Sequence, residues 1–426
     1  MVQADTRVGA GFALAEPSLP SDRASIRRGN LGLLLRLLRD RGPRSRTGIA
    51  AATGLPKPSI SSLIGELIDL GLVREAYEER LGSVGRPALP VELDGRGLCG
   101  IGVEVSVNHL SAVALSLRGE PVYERRLAVD VKAEGPDAVF DQVAMLVREA
   151  LGAIEAGGAR CVGLGFASPG VVDIDKEVTR YAPNIGWHEI AVLDELRARL
   201  GPDAPPLALE NDAKLGAIAE YLLVQDRDIH DMLYVTGEVG VGGGIISGGR
   251  LLRGSTGHSG EIGHMPLVSK TQQSGGLPCV CGRRGCWETM VGLTGLLRLV
   301  ADADDPVHDP SLDLEARLSD VATRAVRGDE RTLRALRQVA EDLALGLGVL
   351  VDILNPRAVV LGGYFARLGG FLLEPVRAGV LDRVIAPNAG GCEVLLSRLG
   401  FTAPSRGGAQ LALDRVYQDP SGVAAG

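Results

Sequence analysis

The chain has 426 residues, more than one ordinary core accommodates, so two or three domains are expected. Hydrophobic residues make up 45%, but no run approaches the roughly 18 apolar residues that would indicate a membrane span. The net charge of −8 taken alone argues against a nucleic-acid partner, and the six cysteines, three of them crowded between Cys279 and Cys286, are not a disulfide framework but fit a reduced compartment with one metal site.

Residues 1–22 lack an apolar core flanked by basic residues and read as a disordered tail, not a signal peptide. The segment from Arg23 to Lys57 then holds nine Lys/Arg against one acid, Asp40. That is a basic module on an acidic body. Within it Leu31, Leu34, Leu35 and Leu38 share one helical face, and Gly42-Pro43 breaks that helix. Ser45 can cap a short second helix around Ile49–Ala51, and Thr53-Gly54 turns the chain. A third helix starts near Pro56–Ser59, carries Ile60, Leu63, Ile64 and Leu67 inward, and ends at Gly71.

Helix, short helix, glycine turn, helix is the helix-turn-helix plan. Lys57, Ser59, Ser61 and Ser62 lie on the exposed side of the third helix, where a recognition helix meets base edges and phosphates. A plain three-helix packing unit is the alternative. Strand-like residues 72–75 and 89–93 follow, joined by a polar stretch that includes Gly85-Arg86-Pro87. Strand, loop, strand is a wing, and Arg86 is placed to enter a narrow minor groove of double-stranded DNA, unless the tripeptide is a simple turn.

From residue 98 the pattern changes. Strand-like runs at 99–105, 110–116 and 122–129 precede a helix over about 137–156 and a strand at 161–167. A similar order recurs at 232–236, 244–246, 330–353 and 358–361. Two related α/β lobes with a cleft between them are expected.

Arg180–Trp187 (RYAPNIGW), Glu210–Ala213 (ENDA), Gly237–Ile245 (GEVGVGGGI), Gly260–His264 (GEIGH) and Cys279–Glu288 (CVCGRRGCWE) follow in that order. Together they resemble the ROK family of repressors, open reading frames and sugar kinases. The resemblance covers about residues 98–413 and, with the N-terminal module, matches the repressor branch. It implies a two-lobed actin-like (ribonuclease H-like) sugar-kinase fold behind a winged helix-turn-helix. The expected division is a winged helix-turn-helix over 23–95, a first lobe over 97–230 completed by a helix near 404–417, and a second lobe over 231–403.

Cys279, Cys281 and Cys286 place three thiolates in one loop that Gly282 and Gly285 allow to fold around an ion. By resemblance His264 is the fourth ligand, and three Cys with one His mean structural zinc. The alternative is three unrelated buried thiols. The residues matching the family's sugar contacts are Asn211, Asp212, Glu261, His264 and Glu288, with Asn184 and Gly170 adding shape or a further contact. Carboxylates accept hydroxyl protons, Asn both gives and accepts, and a metal on one nitrogen of His264 would fix its tautomer. Asn211 is equally suited to cap a helix.

In the family's kinases the residue matching Asp212 is the general base. The phosphate loops differ here. Glu104-Val105-Ser106-Val107-Asn108 lacks the glycines and threonine of the first loop, and Glu238-Val239-Gly240-Val241-Gly242 puts a carboxylate where a polyanion would sit. The expectation is a cytoplasmic, homodimeric or homotetrameric regulator of operator DNA that answers to a sugar and does not phosphorylate it. An active sugar kinase with a DNA-binding arm is the rival, and a body that only dimerises is a third possibility.

Overall fold

In the computed structural model, residues 22–76, 89–268, 276–310, 312–386 and 391–424 are described. Asp22 caps α1 (Arg23–Arg41), accepting from the Ser25 amide at 2.7 Å. Ser45 caps α2 (Arg46–Thr53) by accepting from the Gly48 amide. In α3 (Lys57–Asp69) Pro58 sits in the first turn, where its missing N–H leaves no helical bond unmade.

The leucines of α1, Ile49 of α2 and the Ile60, Leu63, Ile64 and Leu67 stripe of α3 close one buried cluster. Each such side chain contributes about 1.5–3 kcal/mol relative to exposure. Gly71, at φ 70, turns the chain into β1 (Val73–Glu75), which pairs antiparallel with β2 (Val91–Leu93). The helix-turn-helix therefore leads into the two strands of a wing. The wing tip with Arg86, and residues 1–21 of the tail expected to be disordered, lie outside the described residues, whereas Asp22, assigned to that tail, is ordered as the cap of α1.

The body begins with β3 (Leu98–Val105), β4 (His109–Ser116) and β5 (Pro121–Ala128) in an antiparallel meander. A crossover through α4 (Val131–Ala156) leads to β6 (Arg160–Ser168), parallel to β3. The helix begins earlier than its apolar period suggests. Gly135, at φ 78 and ψ 165, breaks it ahead of Pro136, so 137–156 is only the part after the break.

A small three-stranded sheet follows, made of β7 (Val171–Asp173), β8 (Val178–Ala182) and β9 (Trp187–Ile190). Its strands are short and broken by Pro183, Asn184 and Gly186, which hides any alternation in the sequence. Then come α5 (Val192–Leu200), β10 (Leu207–Asn211) and α6 (Asp212–Leu222).

The second lobe repeats the plan with β11 (Met232–Gly237), β12 (Val241–Ser247) and β13 (Arg250–Leu251). The helices α7 (Glu288–Val291), α8 (Leu293–Val300), α9 (Leu314–Val326) and α10 (Glu330–Leu354) come next. After them run β14 (Ala358–Gly363), α11 (Tyr364–Arg367), α12 (Gly369–Leu381), β15 (Glu393–Leu396) and α13 (Ala403–Gln418).

The two large sheets are ordered β10-β6-β3-β4-β5 and β13-β12-β11-β14-β15. Counted within each lobe, both place the first strand centrally, with the hairpin partners on one side and the parallel strands on the other. The internal duplication expected from the sequence is thus a duplicated sheet.

One helix ties these parts together. α13 lies against β3 and β6, where Gly100, Gly102 and Gly165 leave room for the backbone of Ala409, Ser405 and Gly408. Its own Gly407 meets the backbone of Leu215 in α6. Its C-terminal half, with Ala409, Leu413, Val416 and Tyr417, belongs to the same apolar cluster as the three N-terminal helices. Arg36 donates to the Tyr417 carbonyl at 2.8 Å, and the Arg39 guanidinium stands 4.7 Å from the centre of the Tyr417 ring. Among the described residues no helix is long and apolar enough to cross a membrane.

Candidate functional site

A cleft opens where the parallel strands of both lobes end, the usual place for a ligand in an α/β architecture. Residues after β3, β6, β10 and β11 line it, as do the turn after Gly260 and the N-terminus of α7. Gly170, Asn184, Asn211, Asp212, Glu261, His264 and Glu288, singled out from five separate stretches of sequence, all face this one cleft.

Asn211 ends β10 and caps α6. Its Oδ1 accepts from the Lys214 amide at 3.1 Å, while its Nδ2 donates to the Gly170 carbonyl at 3.0 Å and to Asp212 Oδ1 at 2.9 Å. Capping and site-building are therefore one role, because the cap fixes Asp212 at the cleft. Asp212 Oδ1 also accepts from the Ala213 amide at 2.7 Å. Burial, then the neighbouring carboxyls of Glu238, Glu104 and Glu261, push the Asp212 pKa well above the usual carboxylate range.

Glu288 approaches from the opposite side. A Cβ on Gly240 would stand 2.8 Å from Glu288 Oε2 and 3.2 Å from Asn184 Nδ2, so a larger residue in the turn after β11 would displace these two side chains. The Glu288 carboxyl lies 3.5 Å from His264 Nδ1 and 2.7 Å from Cys279 Sγ.

His264, Cys279, Cys281 and Cys286 bring their ligand atoms within 4.8 Å of one another. Gly282 and Gly285 take φ of 83° and 73°, bending the loop back on itself. Three sulfurs and one imidazole nitrogen at this spacing fit a metal ion of tetrahedral preference. His264 belongs both to this cluster and to the cleft wall.

The loops after β3 and β11 face each other. Ser106, just after β3, donates to Glu238 Oε2, just after β11, at 2.5 Å. Burial and Glu104 raise the Glu238 pKa, against which Ser106, His109 and Arg126 act. Val107 lines the same side. Gly362 and Gly363 serve packing, since a Cβ on either would overlap Tyr234 or the Gly237 carbonyl. Sequence reading missed two features of this cleft. The sequence marks Glu238 only as a negative charge where a polyanion would sit, not as a bond between lobes. Pro404, at the start of α13, lines the cleft with no motif to announce it.

On the N-terminal module Lys57, Ser59, Ser61 and Ser62 are exposed along α3. Arg27 reaches Ser62 Oγ at 3.5 Å and Glu66, and Arg46 reaches the Ser61 carbonyl at 3.4 Å, so two further cations flank the helix.

Duplicated sheets around a cleft, a Cys3His cluster at its edge and a winged helix-turn-helix in front define an actin-like sugar-kinase fold joined to a DNA-binding module. The chain belongs to the ROK family, whose model matches residues 100–415. The IclR helix-turn-helix domain model matches residues 31–76. The xylose repressor of Bacillus subtilis strain 168 is 26% identical over 92% of this chain and 97% of its own length. The glucokinase of Thermotoga maritima is 28% identical over 74% of this chain and 98% of its own. Among solved structures, a ROK family transcriptional regulator homologous to the E. coli MLC protein superposes with TM-score 0.74 at 22% identity, over 94% of this chain and 100% of that one. A Streptomyces griseus glucokinase in complex with glucose and AMPPNP gives 0.61 at 27% identity, over 74% and 99%.

Proposed function

We propose that the protein is a sugar-responsive transcriptional regulator, most simply a repressor, of carbohydrate metabolism genes. The observation that carries this reading is the Ser106–Glu238 bond. It joins the two loops on the phosphate side of the cleft and holds a carboxylate there, which suits a body that binds a sugar without phosphorylating it. The relatives that match most of the chain include named xylose repressors, which agrees with this reading.

In this reading Asn211, Asp212, Glu261, His264 and Glu288 hold the sugar hydroxyls, with Asn184 and Gly170 shaping the pocket. Zinc held by His264, Cys279, Cys281 and Cys286 orders the loop that carries Glu288, two residues beyond Cys286. Lys57, Ser59, Ser61, Ser62 and Arg86 contact double-stranded operator DNA. A two-fold operator requires a homodimer or a homotetramer, and the site of action is the cytoplasm. α13 supplies the route between sites, because Pro404 at one end lines the cleft and Tyr417 at the other holds α1. The coupling cannot exceed the sugar's differential affinity for the two arrangements.

The test is selection of genomic fragments by purified protein, with and without a panel of sugars. Enrichment of a few palindromic sites that a sugar shifts is the expected result. Equal DNA affinity under every sugar would remove the sensing role. The kinase alternative has one observation in its favour, the retained Asp212. Sugar-dependent ATP turnover abolished by Asp212→Asn would establish it instead.

A further inference from the structure

The wall that Glu238 helps to form is poor in positive charge. Asp212, Glu238, Glu261 and Glu288 all line the cleft, and among the described residues no Lys or Arg does. Two neighbouring cations are engaged elsewhere: Arg253 pairs with Glu210 at 2.9 Å and Lys214 donates to the Gly257 carbonyl. Arg126 does not line the cleft; it stands 5.2 Å from the centre of the Phe401 ring and offsets Glu238 only in part, since the Glu238 pKa stays raised. A divalent ion at the cysteine loop would not reverse the balance, because three thiolates outweigh it. The Ser106–Glu238 bond also fixes the carboxylate across the cleft, so it cannot swing away from an approaching ligand without breaking the contact between lobes.

We infer that Glu238 is a specificity-determining residue that restricts the effector to a sugar bearing no ionised group and turns away sugar phosphates and sugar acids. The inference rests on the sugar-effector reading above and adds the effector's chemical class. Neutral hydroxyls bring protons that carboxylates accept. A phosphate ester brings only acceptors and needs cations or a cradle of N–H donors. At an effective dielectric of about 20, one extra like-charge pair at about 6 Å costs about a hundredfold in affinity. The pKa values of Asp212 and Glu238 are raised, by burial first and then by neighbouring carboxyls, so the cleft already disfavours negative charge.

The experiment is calorimetric titration of the full chain, zinc supplied, with neutral pentoses and hexoses and with the phosphate ester and uronic acid of each. The wild type and Glu238→Gln are compared. A neutral sugar should bind, with its charged derivatives weaker by about tenfold or more. Glu238→Gln should narrow that ratio by about tenfold, a change that general loss of structure would not produce, since it lowers both affinities together. A charged derivative binding as tightly as its parent would overturn the inference and leave the sugar-effector reading standing. So would an unchanged ratio in Glu238→Gln. Binding of neither class would overturn that reading and this inference with it.

Discussion

The backbone of Gly32 in α1 is pressed against the carbonyl of Tyr417 in α13, so closely that a Cβ on Gly32 would overlap the oxygen. The same carbonyl accepts from Arg36, one turn further along α1. This is where the DNA-binding module meets the helix that reaches the cleft.

Gly32→Ala and Gly29→Ala make a matched pair. Both add a methyl group to α1, and nothing lies within 4 Å of a Cβ at Gly29. Gly29→Ala should raise stability by about 0.5–1 kcal/mol through helix propensity alone. Gly32→Ala should lower it by about 1–3 kcal/mol by overpacking and should weaken the sugar effect on operator binding. Thermal unfolding gives the first comparison and fluorescence anisotropy of labelled operator the second. Equal behaviour of the two variants would remove α13 from the coupling.

Removing the metal should loosen the cleft. Cys281→Ser, or chelation of the wild type, is expected to abolish stoichiometric zinc and reduce sugar affinity by about 10–100-fold, since Glu288 depends on the ordered loop. Cys392→Ser is the control, because its sulfur lies outside the metal-ligand cluster. Metal analysis and calorimetry on the three proteins decide the matter.

Lys57 stands exposed at the start of α3. If it meets a phosphate, Lys57→Ala lowers the slope of log K against log salt by about one. Ser59→Ala should instead alter affinity with little change in slope. Titrations at four salt concentrations separate the two outcomes.

Glu104 and His109 predict a pH profile. Burial raises Glu104 to about 8 and lowers His109 to about 4, so both are held neutral side by side, with ring and carboxylate atoms 3.6 Å apart. The folded chain keeps the Glu104 proton above its ordinary value of 4.5, so that contribution is lost as pH rises toward 8. His109 acts oppositely, its contribution being lost as pH falls from 6.5 toward 4. The two contributions oppose each other between about 4.5 and 6.5, and above that range stability should fall as pH rises toward 8. Glu104→Gln should flatten the alkaline limb and leave the acid limb in place. Urea unfolding across this range checks both.

Much of the site was legible because its chemistry is written in short, dense motifs. The cysteine loop shows by residue type and spacing, while Asn211-Asp212, Glu261 and His264 are picked out by the motifs that resemble the ROK family. The three-helix module showed equally well, since apolar residues three and four apart mark a buried helical face whatever lies elsewhere. The small sheet over β7–β9 did not, because strands of three to five residues interrupted by Pro and Gly carry no period to detect.

The sequence by itself determined the three N-terminal helices, the basic module and the cysteine loop, along with the main strands of the two lobes. These follow from local propensity and side-chain chemistry, which act over a few residues. Tertiary structure alone decided that Glu238 bonds to Ser106, 132 positions away, and that one C-terminal helix touches cleft, sheet and DNA-binding module. Those contacts depend on how two lobes close and on where glycines let backbones approach. Neither is encoded in any local pattern, because the partners meet only after each has folded into its own layer.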